Sequence, residues 1–188
     1  MRLNVLLDEL ASDSPTPGGG SVAALVVAMT AGLLAMAARA SKEGWSDAAG
    51  AVAQAESLRR RATPLAEEDA RAYQAALEAM RSPSGATADE RDAAIADALS
   101  RAAQVPLEIA ETAADVAALA ATISERGDQK VRGDAAAAAV LSAAAAQAAA
   151  NLVAINLASA PDDRRVRRAL RLAEQAFDSA RWTIELER

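Results

Sequence analysis

Apolar and small residues recur every three to four positions along almost the whole chain, and no segment alternates apolar with polar in the two-residue rhythm of a half-buried strand. The pattern predicts a short helix around Leu3 to Leu10, then a break at Ser14-Pro15-Thr16-Pro17-Gly18-Gly19-Gly20-Ser21. An uncharged helix follows from about Ser21 to Lys42 and ends before Gly44, and a third runs from about Ser46 to Met80, with Pro64 as a point of bending. Ser82-Pro83-Ser84-Gly85 is a turn, and Thr87 with Glu90 three residues on has the capping-box interval that starts a fourth helix. That helix is expected to reach about Glu125, with Pro106 kinking or dividing it, and Gly127 stops it. After a polar connection from Asp128 to Gly133, Asp134 has the position of an N-cap for an alanine-rich helix Ala135 to Ser159, and Pro161 begins the last one. The expected fold is all-α: a single domain over residues 1–188, built as an antiparallel bundle of about five long helices plus the short N-terminal one.

Composition narrows the packing. Apolar residues are 52% of the chain but aromatic ones only 2%, so alanine fills the core and helix backbones must approach closely. Ala24, Ala28 and Gly32 leave one face of a helix stripped for such an approach, within the chain or across a dimer. A net charge of −6 argues against nucleic acid or an anionic membrane as partner. The basic group Arg164, Arg165, Arg167, Arg168 and Arg171 has acidic neighbours and reads as a solvated helix face. The run Val22 to Ala38 is short for a membrane span and alanine-rich, and acidic residues precede it, so a soluble cytoplasmic protein is expected. There is neither cysteine nor histidine, which excludes disulfides, thiolate chemistry and triads that use His.

Acid–base work must then fall to carboxylates, Lys, Arg, Tyr or the backbone. Leu58, Ala62, Leu65, Asp69, Tyr73, Ala76 and Met80 share one helix face, and Asp69 interrupts this apolar stripe. A carboxylate there is either a proton-transfer group with a pKa raised by desolvation, or a buried Asp paired with an Arg or capping another helix. Glu67 and Glu68 point away from the stripe, and Glu111 and Asp115 read as solvated, while Glu108, just after Pro106, is harder to dismiss. The Gly-rich loop offers free N–H groups at a helix start, which favour an anion; its glycines permit special backbone geometry, or it only turns the chain. Gln147, Asn151 and Asn156 interrupt an apolar helix and either bridge helices or face a polar ligand.

Asp8-Glu9-Leu10 followed by Ser14-Pro15-Thr16-Pro17-Gly18-Gly19-Gly20-Ser21 resembles the opening of the formiminotransferase-cyclodeaminase C-terminal domain and its stand-alone relatives, which include methenyltetrahydrofolate cyclohydrolases. The likeness continues through Asp69-Ala70-Arg71-Ala72-Tyr73, Glu78-Ala79-Met80-Arg81, Val105 to Glu111, Gly133-Asp134 and Ile155-Asn156-Leu157. It implies an all-helical homodimer acting on a tetrahydrofolate derivative as substrate, with no metal or further cofactor. The implied reaction is the cyclodeamination of 5-formiminotetrahydrofolate to 5,10-methenyltetrahydrofolate and ammonia. Methenyltetrahydrofolate hydrolysis is the alternative, and a catalytically degenerate folate-binding dimer a third. The resemblance gives Asp69 the catalytic role. It implies substrate contacts from Pro17, Gly18, Gly19, Gly20, Ser21, Tyr73, Arg81, Glu108, Asp134 and Asn156. Two departures stand out: Ser82-Pro83-Ser84 replaces the family's usual Leu-Pro-Lys, and Gly133 replaces a usual serine.

Overall fold

The computed structural model describes residues 3–81 and 87–186, so the turn at 82–85 and the departure at 82–84 lie outside the described residues. The helices are α1 (Leu3–Leu10), α2 (Gly19–Ala40), α3 (Ala48–Met80), α4 (Ala88–Ala102), α5 (Gln104–Arg126), α6 (Arg132–Asn156) and α7 (Arg164–Glu185), with a short 3₁₀ turn at Gln129–Val131. Among the described residues there is no strand.

One boundary alternative is decided and one expectation corrected. Of the two effects expected of Pro106 on the fourth helix, division is the one found: the segment is two helices meeting at Ala103. Pro106 is the cause: it has no N–H for the Ala102 carbonyl four residues back, and its ring crowds that carbonyl, so α4 ends at Ala102. The alanine-rich helix starts at Arg132 rather than Ala135, which puts Asp134 inside the first turn and leaves Val131 at the N-cap position without a side-chain cap. Asp128 does the local capping instead, accepting from the Lys130 amide at 2.9 Å. Pro64, by contrast, is accommodated inside a continuous α3. Thr87 and Glu90 form the full capping box, each side chain bonded to the other's backbone amide.

α2 packs on α3 and α6, and α5 on α6 and α7. Alanine makes this closeness possible, with Ala24, Ala31, Ala110, Ala117, Ala139 and Ala146 all fully buried. On the stripped face of α2, Ala24 is fully buried within the chain while Ala28 and Gly32 are half-buried, a Cβ at Gly32 standing at ordinary contact distance, 3.6 Å, from the Arg59 side chain of α3. Thr30 and Ser142 share a buried hydrogen bond of 2.9 Å that fixes the level of α2 against α6. At the far end, the Ser41 hydroxyl accepts from the Asp128 amide at 2.9 Å. Gly127 is required there, because a Cβ would fall 2.6 Å from the Ile123 carbonyl and 2.9 Å from Ser41 Oγ.

The arginines expected as a solvated face are partly occupied. Arg165 donates to the Ser100 carbonyl at 2.7 Å and the Ser100 hydroxyl at 2.8 Å while paired with Asp163, which pins the start of α7 to the end of α4. Arg168 pairs with Glu111, and Arg61 bridges Glu111 and Asp115, so these two carboxylates tie α3, α5 and α7 together rather than standing free.

Candidate active site

The start of α2, the upper part of α3, the α4–α5 junction and the end of α6 converge on a cavity of about 290 Å³. Pro15, Thr16 and Gly18–Gly20 form one wall, Asp69 and Tyr73 come from α3, Ala102 and Pro106 from the junction, and Leu152, Ile155 and Asn156 from α6. Among the described residues, Asp69 is the one charged side chain in this lining.

The apolar stripe of α3 explains how Asp69 gets there. Leu58, Ala62, Leu65 and Ala76 are buried along it, whereas Tyr73 and Met80 are partly exposed, so the stripe leaves the core where the cavity opens. Burial pushes the Asp69 carboxyl above its ordinary value, and the Ser21 amide and hydroxyl, which favour the charged form, offset part of that rise. The hydroxyl of Ser21, 2% exposed, bonds the Ala66 carbonyl at 2.7 Å and lies 3.5 Å from Asp69 Oδ2.

The carboxylate rests on the first turn of α2. A Cβ at Gly20 would stand 2.2 Å from Asp69 Oδ1 and 2.5 Å from Oδ2, so only a glycine leaves room. This corrects the reading of the loop in two respects. None of Gly18, Gly19 or Gly20 has a positive φ, so what the chain uses at Gly20 is smallness and not backbone freedom. The anion at the helix N-terminus is Asp69 itself, whose negative charge occupies the place expected for a ligand carboxylate or phosphate. Asp69 thus stands against the first turn of α2, with the Ser21 hydroxyl 3.5 Å away, and at the same time faces the cavity.

The other expected site residues divide clearly. Gly18, Gly19, Gly20, Asp69, Tyr73 and Asn156 line the cavity together. Pro17 and Ser21 stand behind the wall, the Thr16–Pro17 peptide being cis. Arg81 is exposed at the C-cap of α3, and Glu108 accepts from Gln104 at 2.9 Å. Asp134 belongs to the opposite end of α6, about 33 Å along the axis from Asn156 at 1.5 Å per residue. Gln147 and Asn151 bond to each other along α6, and Asn151 is exposed rather than buried. Leu152 and Ile155 were not foreseen; apolar residues on an apolar helix carry no signal that one edge borders a cavity. Among the described residues no group of three or more carboxylates is arranged to hold a metal ion.

The formiminotransferase-cyclodeaminase family profile matches residues 2–175. This chain belongs to that family. A methenyltetrahydrofolate cyclohydrolase of Methylorubrum extorquens is 34% identical over 170 residues, covering 86% of this chain and 81% of that protein. The formimidoyltransferase-cyclodeaminase of Sus scrofa is 34% identical over 122 residues, 61% of this chain but 23% of that longer protein. The crystal structure of formiminotetrahydrofolate cyclodeaminase from Thermotoga maritima superposes with a TM-score of 0.85 at 26% identity, covering 99% of this chain and 95% of that one. Membership in this folate one-carbon family thus rests on the sequence profile and on the fold.

Proposed function

We propose that this family member hydrolyses 5,10-methenyltetrahydrofolate to 10-formyltetrahydrofolate, with Asp69 as the proton-transfer group. The observation that carries the reading is a single, part-buried carboxylate fixed on the α2 N-terminus and facing a cavity otherwise lined by uncharged groups. A lone negative charge in apolar surroundings suits a cationic reacting centre, and the methenyl bridge is a cationic amidine. The Methylorubrum extorquens cyclohydrolase, matched over 81% of its own length, favours hydrolysis over the cyclodeamination that the family resemblance first suggested.

In the proposed reaction, water adds its oxygen to the bridging carbon while Asp69 accepts one water proton. The carboxylic acid then returns that proton to N5 as the carbon–N5 bond breaks, and the remaining hydroxyl proton passes to solvent as the formyl C=O forms. One water is consumed and one proton released. An aspartate whose pKa lies above the ordinary range is better matched to this exchange than a solvated one, being the stronger base and still able to donate.

Cyclodeamination is the second reading, favoured by the close superposition on the Thermotoga maritima enzyme. There N10 attacks the carbon of the protonated formimino group of 5-formiminotetrahydrofolate, the same carboxyl carries the N10 proton to the resulting amino nitrogen, and ammonia departs to leave the cationic methenyl bridge. Two assays separate the readings. Loss of methenyl absorbance on adding 5,10-methenyltetrahydrofolate is the expected result, and its gain from 5-formiminotetrahydrofolate would give the second reading precedence. Neither change, with folate bound, would reduce the protein to a binder.

A further inference from the structure

The hollow that holds Asp69 does not end at its rim. On α4, Ala102 lines the cavity, and Leu99, Ala96, Ile95 and Asp92 follow on the same helix face toward the N-terminus. These four form one wall of a groove of about 320 Å³, and the end of α6 with the turn after it forms the other. Ile155 and Asn156 line both hollows, so the groove opens directly from the cavity. α4 packs chiefly on α3, which leaves this side of it open toward α6. Two other hollows, beside Trp45 and beside Gly44, share no residue with the cavity. From Ala102 to Asp92 the groove runs about 15 Å at 1.5 Å per residue. Ile95, Ala96, Leu99 and Ile155 make it apolar along its length, and Asp92 stands exposed at its outer end with Asp89 one turn beyond. Neither aspartate has an ion-pair partner among the described residues.

We propose that the p-aminobenzoyl ring of the folate lies in this groove, and that Asp92 at its outer end selects against folates carrying additional γ-linked glutamates. The inference rests on the folate reading of the Asp69 cavity and specifies where the rest of that substrate goes. At 290 Å³ the cavity is at the lower edge of small-molecule sites, about 300–1,000 Å³. It suits the pterin and the methenyl bridge and leaves the benzoyl ring and the glutamate outside. The benzoyl ring is bonded to N10, and N10 to the bridging carbon, so with that carbon at Asp69 the ring reaches the cavity's rim. A flat uncharged ring is stabilised most where it leaves water against aliphatic side chains, and the groove between Leu99 and Ile155 is that place. Beyond the ring, the glutamate emerges beside Asp92. Each added glutamate brings one more carboxylate toward a region already negative from Asp92, Asp89 and the C-terminal end of α6. Burial of the ring supplies affinity, and the acidic exit supplies selection.

Ala96→Phe fills the groove without removing a core side chain, since Ala96 is only half-buried. It is expected to raise KM for 5,10-methenyltetrahydrofolate by about tenfold or more while kcat stays within about threefold and the melting temperature holds. An unchanged KM in the folded variant overturns the inference, as does a loss confined to kcat. Asp92→Lys tests the exit from the exposed surface without entering the groove. It is expected to lower KM for the triglutamate form by about threefold more than for the monoglutamate, the difference vanishing at about 1 M salt. A wild type that binds the triglutamate more tightly than the monoglutamate, or an Asp92→Lys protein that shifts both forms equally, overturns the selective role. A binding arm needs no turnover: 5-formyltetrahydrofolate, titrated by calorimetry, should lose about tenfold or more in affinity on Ala96→Phe. A wild type inactive on folates that binds this probe and loses it on Ala96→Phe removes the proposed reaction and leaves the groove standing. A wild type that hydrolyses the methenyl substrate, with binding indifferent to Ala96→Phe, keeps the reaction and removes the groove.

Discussion

At residue scale the chemistry turns on one contact, the Asp69 carboxylate against the backbone of Gly20. Asp69→Asn keeps the shape and removes the proton exchange, so turnover should fall by about two to four orders of magnitude with folate affinity largely retained, measured by steady-state kinetics and equilibrium binding. The pH profile should respond to the raised pKa. As a base Asp69 must be ionised, so the rate is expected to fall on acidification at a pH above that of an ordinary aspartate, and the Asn variant should lose this limb. Stability moves in the opposite direction. The folded chain holds the Asp69 proton more tightly than the unfolded one, so this residue costs stability as pH rises from its ordinary value of 3.8 through the folded value. Asp69→Asn should therefore melt no earlier than wild type at neutral pH. The glycines make a paired test: Gly20→Ala drives a methyl group into the carboxylate and should cost at least tenfold in turnover, whereas a Cβ at Gly19 meets nothing within 4 Å. Gly19→Ala should stay within a few-fold in activity and gain about 0.5–1 kcal/mol in urea unfolding.

At element scale the junction of α4, α5 and α7 holds the cavity's floor. Ala102 and Pro106 line the cavity two and six residues beyond Ser100, whose carbonyl and hydroxyl are held by Arg165. Arg165→Ala is expected to destabilise the fold by about 1–3 kcal/mol, and Arg165→Lys to recover little, because one ammonium cannot reproduce the forked geometry toward both Ser100 and Asp163. The Arg165 guanidinium and amide hold the Asp163 carboxyl down at about 2. A depressed pKa contributes stability above the ordinary 3.8 that is lost as pH falls toward 2. Acid unfolding of Arg165→Ala should accordingly show a shallower dependence on pH in that interval than the wild type.

At the scale of the whole molecule, the outer faces of α2 and α6 carry large apolar side chains in the open, Met29 63% and Ile155 66% exposed. Met29→Asp places a charge at the centre of that surface without touching the core. In sedimentation the wild type is expected to run as the homodimer that the family resemblance implies and Met29→Asp to shift it toward monomer; a Met29→Asp protein that still runs as a dimer would exclude this face from the interface. The substitution is expected to leave the helical circular dichroism unchanged, since Met29 is exposed within its own chain.

The helices were legible from the chain because their signals are local. The apolar period located α2 and α3, the Thr87–Glu90 interval fixed the start of α4, and Gly127 marked the end of α5. Asp69 was legible for a related reason: a single charge on a helix face otherwise apolar is visible in the order of residues alone. Proline effects were legible only in part, because the same ring interrupts the helix at Pro106 and is absorbed at Pro64, and the difference depends on what surrounds each turn. What the chain order could not decide is which remote elements meet. That Gly20 must be small for the sake of Asp69, that Leu152 and Ile155 border the cavity, and that Asp134 is a helix length away from it within one chain all depend on distances between segments far apart in sequence. A helix whose core-facing and outward sides are both alanine, valine and leucine does not record in its sequence which side meets its own chain. Only the packing of α2 and α6 against their neighbours distinguishes the two.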